Sequence, residues 1–321
     1  MSEAEEHQSP ELSAVERYKL AKEARKTAPP MQLPETPAYD QDTLWRGLTR
    51  GGEVRLLLVR ATNAARESTD KLGCSAEAAG FVAELMAATS LLKACLNPDE
   101  QLQVSAQNSG LLGNFVIDCF ATGEMRATVR HPEACGARLV GDGLVQVARI
   151  IRHSGTHRSS IELGGAMPGQ LLMRYLLESE QIVSYINLDV AIDEQGRVQH
   201  ALGFLLQLMP EGRRQDIATI VDNLKALPPL SQGMTAEDPD AMKWSSRLME
   251  GLYWDQAVRQ SVRFHCPCSA ERVVALISTL PRSDIEELVA DDAPLETTCD
   301  YCRTTYSVPI HQVRQLLELP S

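Results

Sequence analysis

Four cysteines constrain this chain more than any other feature. Cys266-Pro-Cys268 precedes Cys299-Asp-Tyr-Cys302, with 30 residues between the pairs. Two close thiol pairs joined by an insert match a tetrahedral four-thiolate zinc site, each pair supplying one edge. The pattern predicts one zinc ion per chain, held by Cys266, Cys268, Cys299 and Cys302. The insert fits that frame. Ser269 is placed to cap a helix whose apolar face is Val273, Leu276, Ile277 and Leu280, with Pro281 ending it. Ser283-Asp-Ile-Glu286 reads as a capping box for a second helix. Leu295–Thr298 and Tyr306–Val308 read as strands around the second pair, and Pro309 as the first turn of a last helix through Leu319. A module of about sixty residues needs such a staple to fold.

The first pair is CxC rather than CxxC. In an extended segment, residues i and i+2 face the same side, so both sulfurs reach one metal. A disulfide across so small a ring is strained, and strained disulfides are readily reduced. Zinc also keeps sulfur as thiolate, the form that peroxide or hypochlorite attacks. Oxidation of four ligands to two disulfides would expel the metal and remove the staple. Two readings stand on this chemistry alone: a static structural zinc, or a zinc-bound redox switch.

The rest of the chain divides by composition. Residues 1–40 carry five of the 17 prolines and read as a disordered tail, with a short helix possible at 11–26. Residues 41–226 read as one α+β domain of mixed strands and helices. Its strands are expected at Val54–Arg60, Leu102–Ala106, Asn114–Phe120, Met125–Arg130, Ile182–Ala191 and His200–Met209. Arg149–Ile151 and Ser159–Leu163 flank an expected loop holding His153 and His157. Helices are expected at Glu77–Leu96, Gln170–Glu178 and Asp216–Ala226. Residues 227–260 read as a helical linker, and residues 261–321 as the small C-terminal zinc-binding domain. In the linker, Trp244, Leu248 and Leu252 fall on one helical stripe, extended by Met249 and Tyr253; Met242 and Trp254 flank it. That stripe is either a helix docked on a neighbour or an adaptable apolar surface for clients.

Charge and motifs exclude several functions. Lysine and arginine total 31 against 43 aspartates and glutamates, a net of −12. Residues 261–321 alone hold five arginines and nine acids. Nucleic-acid binding needs the opposite balance, so no nucleic-acid partner is expected. No GxSxG, HExxH or P-loop motif appears, and a thiol reductase would need its CxxC at the start of a helix, so the chain is not expected to be an enzyme. There is no run of 18 apolar residues and no secretory signal, so a cytoplasmic protein without a membrane partner is expected. Cys74, Cys95, Cys119 and Cys135 then read as free thiols, and a second metal site from Cys119, His131 and Cys135 is the remote alternative.

The pattern CxC–x30–CxxC resembles the redox-regulated heat-shock chaperones of the heat shock protein 33 family. The resemblance rests on Phe264-His-Cys-Pro-Cys-Ser-Ala-Glu-Arg272, Glu286–Asp292 and Cys299-Asp-Tyr-Cys302 with Tyr306. It extends through Ala83–Leu92, Met125–Arg130, Ser179-Glu-Gln181 and Gly203–Pro210, covering roughly residues 42–319. The resemblance implies an ATP-independent holdase of the stress response, inactive while reduced and zinc-bound. It implies disulfides Cys266–Cys268 and Cys299–Cys302 on oxidation, zinc release, unfolding of the linker, and capture of unfolding clients, with a homodimer as the active form. Within that picture, residues Met242, Trp244, Leu248, Met249, Leu252, Tyr253 and Trp254 are the candidate client surface. The alternative is a static zinc-stapled protein-interaction module. Two departures stand out: Arg303 follows the last cysteine where the family commonly has glycine, and Gln107-Asn-Ser-Gly110 replaces a Gln-Gly-x-Gly word.

Overall fold

The computed structural model describes residues 41–318, apart from 152–154, 211–213, 236–237 and 291. The tail and helix expected within residues 1–40 lie outside the described residues, as does His153. In chain order, strands β1 (Thr43–Thr49) and β2 (Val54–Arg60) lead into helices α1 (Thr62–Leu72) and α2 (Ala76–Cys95). Five strands follow: β3 (Glu100–Asn108), β4 (Phe115–Cys119), β5 (Glu124–Val129), β6 (Gly143–Ile151) and β7 (Gly155–Glu162). Helix α3 (Pro168–Glu178) precedes β8 (Ser184–Ile192) and β9 (Val198–Leu208). Helices α4 (Arg214–Lys225), α5 (Leu230–Gly233) and α6 (Met242–Leu248) then lead to β10 (Trp254–Ser261) and β11 (Arg263–Phe264). The chain continues through α7 (Ala270–Ile277), α8 (Arg282–Ala290), β12 (Leu295–Thr298), β13 (Thr305–Val308) and α9 (Ile310–Glu318).

The expected α+β class is what forms. An antiparallel five-stranded sheet has the order β10-β1-β2-β9-β8. A six-stranded sheet has the order β11-β5-β4-β3-β6-β7, antiparallel except where β11 runs parallel to β5. Helix α2 lies in the core between them. Its apolar residues occupy every face, the pattern of a helix packed on all sides. Phe81, Leu85, Leu91 and Leu92 are buried with Leu57 and Val59 of one sheet and Val104, Phe115 and Ile117 of the other. By length and composition alone α2 would pass as a membrane span, yet most of it is buried inside the fold.

Strand β2 explains why the five-stranded sheet needs a second cover. Leu57 and Val59 face α2, while Val54, Leu56 and Leu58 face the other way and are equally buried. The second face also carries Trp45, Leu202, Phe204 and Leu206. It is closed by Ile220 of α4 and by Leu230, Met234, Trp244, Leu248 and Met249 of the following segment.

Several expectations shift in detail. Strand β1 was not legible as a strand, and it pairs with both β2 and β10. The segment at 227–260 is helical at 230–233 and 242–248, but it becomes strand from Trp254 onward because β1 offers an open edge there. His157 lies within β7, paired with Arg149, so the strands β6 and β7 extend into the expected loop. In the insert, Ser269 caps α7 as expected, accepting from the Arg272 amide at 3.3 Å. The packed face of α7 is Val273, Val274 and Ile277, whereas Leu276 is 68% exposed. Helix α8 starts one residue ahead of Ser283; the Pro281 carbonyl accepts from Asp284 and Ile285, and Ser283 turns to Asp284.

Candidate metal centre

The chain is steered to its first cysteine pair by the six-stranded sheet. Strand β11 pairs with Glu124 and Met125 of β5, and the His265 amide then donates to the Met125 carbonyl at 3.1 Å. Arg263 pairs with Glu124, and Lys71 of α1 sits 5.7 Å from the Phe264 ring centre. Cys266 and Cys268 follow directly, and α7 begins just beyond them.

The second pair sits on a tight turn between β12 and β13. The Cys299 amide donates to the Thr304 carbonyl at 3.0 Å, and the Arg303 amide donates to the Cys299 carbonyl at 2.9 Å. Closing this turn requires Arg303 in the left-handed region, at φ 56°. That is the conformation in which a glycine is cheapest.

All four sulfurs converge to within 4.8 Å of one another, and they are the one cluster of three or more potential ligands among the described residues. Cys266 Sγ lies 3.7 Å from Cys299 Sγ, and Cys268 Sγ lies 3.2 Å from Cys302 Sγ. Sulfurs arranged tetrahedrally about zinc at 2.3 Å would stand about 3.8 Å apart, so the donor set fits a thiolate-bound ion. Cys119, His131 and Cys135 do not gather; Cys119 is buried in β4 and Cys135 is exposed.

The sulfurs differ in their surroundings. Burial raises Cys268 to about 12, against the hydroxyl of Tyr306 at 2.9 Å. Burial also raises Cys299. It opposes ionisation of Cys302 too, but there it is outweighed by Thr304 and by the neighbouring thiols, which bring Cys302 down to about 6. Arg303 lies 3.8 Å from Asp300 and faces Cys74 electrostatically. Away from the centre, burial lifts Cys74 to about 12, Cys95 to about 11 and Cys119 to about 12, which disfavours their thiolate forms.

The module around the sulfurs has little else to hold it. Its buried apolar cluster is Ile277, Ile285, Val308 and Val313, with the partly buried Val273, Leu288, Leu295 and Leu316 among those packed against it. An open cleft of about 560 Å³ runs beside the centre, lined by Cys268, Cys299, Arg126, Arg272, Leu276 and Tyr301 among others.

A family model described as Hsp33 protein matches residues 42–309. The chain belongs to the Hsp33 family. Hsp33 is a family of molecular chaperones, not of enzymes. The 33 kDa chaperonin of Shouchella clausii is 28% identical over 298 residues, spanning 87% of this chain and 98% of its own. That of Streptococcus pneumoniae strain JJA is 26% identical over 290 residues, spanning 86% and 98%. The crystal structure of the Hsp33 homologue from Thermotoga maritima superposes with a TM-score of 0.75 at 19% identity, covering 87% of this chain and 98% of that one; this likeness is one of fold.

This Hsp33 chain accommodates its second departure without a glycine. Asn108 sits where β3 ends, and its side chain serves four backbone groups. Its Oδ1 accepts from Gly110 and Gly141 at 2.9 and 2.8 Å, and its Nδ2 donates to the carbonyls of Gly113 and Leu139. Of the candidate client residues, the fold gathers Trp244, Leu248 and Met249 against the sheet, with Leu252 and Trp254 packed at their edge. Met242 is half-buried, and Tyr253 is 81% exposed. Trp45, which the sequence did not single out, completes the cluster: it stacks on Trp254 at 6.1 Å and donates to the Asp240 carbonyl at 2.7 Å.

Proposed function

We propose that this Hsp33 family member is a redox-switched, ATP-independent holdase. In its resting form Cys266, Cys268, Cys299 and Cys302 hold one zinc ion, and the protein keeps its client surface covered. When bound, zinc supplies thiolate sulfur at neutral pH and a crosslink for a module with a small core. Each disulfide then forms by loss of two electrons from two thiolates to peroxide. The O–O bond breaks, two protons are taken up and two waters leave. The disulfides are Cys266–Cys268 and Cys299–Cys302. Neutral disulfide sulfurs no longer hold the ion, and the module loses its staple.

The observation that carries the reading is the placement of the linker. Trp244, Leu248 and Met249 cover an apolar sheet face made of Trp45, Leu56, Leu58 and Phe204, and the same segment runs through β10 directly into the cysteine module. Melting of the module removes the anchor at the far end of that cover. The uncovered sheet face and the freed linker then offer apolar surface to unfolding clients, or to a second copy in an oxidised homodimer. A resting state that is reduced suits a cytoplasmic setting.

Light scattering of a denatured client tests this. The protein is added reduced with zinc, or after peroxide with mild warming, while released zinc is assayed in parallel. Suppression of aggregation only by the oxidised, zinc-free form is the expected result. Zinc that stays bound, or leaves without suppression, would point instead to a static zinc-stapled interaction module.

A further inference from the structure

Asp118 and Arg126 form a charged pair under the cysteine module. They face each other across β4 and β5, and the Asp118 side chain is 2% exposed. Gln103 of β3 donates to Asp118 Oδ1 at 2.8 Å, and Arg126 Nε donates to Oδ2 at 2.8 Å. The guanidinium then turns outward. Its Nη1 lies 3.5 Å from Cys266 Sγ, and its carbon lies 3.8 Å from the ring centre of Tyr301, inside the second cysteine pair. Asp118 also acts electrostatically on Tyr301. One strand turn away, Thr128 Oγ1 donates to the Asp300 carbonyl at 3.1 Å. A path of charged contacts thus runs from the middle of the six-stranded sheet to one ligand from the first pair and, through the Arg126 guanidinium over the Tyr301 ring, to one residue within the second.

We propose that Arg126 is the positioning residue through which the sheet senses the thiolate centre, holding the module docked while Cys266 is a metal-bound thiolate and releasing it when Cys266 enters a disulfide. The proposal rests on the redox-switch reading above. A half-buried guanidinium needs anionic or strongly polar acceptors, and charge-assisted bonds are about twice as strong as neutral ones. Four thiolates around one divalent ion carry a net charge of about −2, which complements Arg126. Oxidation of Cys266 and Cys268 transfers two electrons to peroxide, which takes two protons and leaves as two waters. The resulting disulfide sulfur is neutral and a weak acceptor. Arg126 then keeps Asp118 but loses its reason to hold the module.

The test uses the full chain, reduced and zinc-loaded, as Arg126→Gln, Arg126→Lys and the double variant Arg126→Gln with Asp118→Asn. The double variant avoids leaving Asp118 buried without its cation. Arg130→Gln, exposed at the end of the same strand, is the charge-matched comparison. Without oxidant, zinc transfer to a chromophoric chelator is expected to quicken about tenfold in Arg126→Gln and in the double variant, less in Arg126→Lys, and not in Arg130→Gln. In cobalt-loaded protein, the sulfur-to-metal charge-transfer band is expected to shift in Arg126→Gln alone of the two glutamine singles. Hydrogen exchange at the His265 amide, which is bonded to β5, is expected to lose protection in Arg126→Gln before any peroxide is added. Wild-type transfer rate, band and protection in Arg126→Gln would overturn the proposal. Faster transfer with unchanged His265 protection would overturn its docking half. If wild type keeps its zinc under peroxide, the redox reading and the release half both fail, whereas the oxidant-free comparison still decides whether Arg126 docks the module.

Discussion

Alanine at Gly233 should loosen the cover over the five-stranded sheet without touching the cysteines. Gly233 ends α5 and does not occupy the left-handed region, so alanine costs no backbone strain there. Its added Cβ would stand 2.5, 2.6 and 2.7 Å from Cδ1, Cγ and Cβ of Trp244. Carbon atoms in contact prefer about 3.5–4.0 Å, so the indole and Gly233 must separate by about 1 Å. Trp244 has nowhere to go. It is 4% exposed, its ring lies 5.2 Å from that of Phe204, and its Nε1 donates to the Pro228 carbonyl at 2.9 Å. Overpacking of this kind costs about 1–3 kcal/mol. Charged to linker docking, that raises the undocked population by roughly fivefold to 150-fold. Reduced, zinc-loaded Gly233→Ala is therefore expected to suppress client aggregation partially without peroxide. It should also show red-shifted tryptophan emission and faster proteolysis within 227–260. Gly80→Ala serves as the comparison, because its Cβ would meet only Ile192 at 3.7 Å. A Gly233→Ala protein with the urea midpoint, cleavage pattern and inactivity of reduced wild type would refute the argument that this contact holds the cover.

Two further outcomes follow from strain and burial. Arg303→Gly should relieve the left-handed turn at the last cysteine by about 1 kcal/mol, slowing zinc transfer to a chelator several-fold; the lost exposed pairing with Asp300 should matter little. Faster transfer in Arg303→Gly would refute the strain argument. Asp42 is raised from 3.8 to about 6 by burial, against its bond from the Ala64 amide and the charge of Arg60. Between those values the folded chain keeps a proton that the unfolded chain has released, so stability falls as pH rises from about 4 to about 6 and levels off above. Urea midpoints of wild type and Asp42→Asn should show the wild-type advantage shrinking by about 1–3 kcal/mol across that window. A difference that stays flat or grows would contradict it.

Much of the site was legible because it is written locally. The CxC and CxxC spacings, the Ser269 cap and the left-handed demand at Arg303 each involve residues within a few positions of one another. Helix α2 was equally legible, since twenty consecutive residues carry its pattern. The strands either side of Gly123 were too, and the Phe120 amide donates to the Glu124 carbonyl where they turn. Leu276 misled because a helical stripe names two flanks, and only the packing of α7 on its neighbours decides which flank is covered.

Short-range order along the chain specifies the chemistry of the cysteines and the alternation that makes the strands and helices. Tertiary structure alone decided which surfaces meet. Strand β1 found β10 across two hundred residues of chain, Trp45 found Trp254, and Arg126 came to rest against Cys266 from 140 positions away. The physical reason is that metal-ligand spacing and helix periodicity are short-range geometry, whereas edge pairing, two-sided burial of a sheet and charge contacts between modules depend on the whole chain closing around one core.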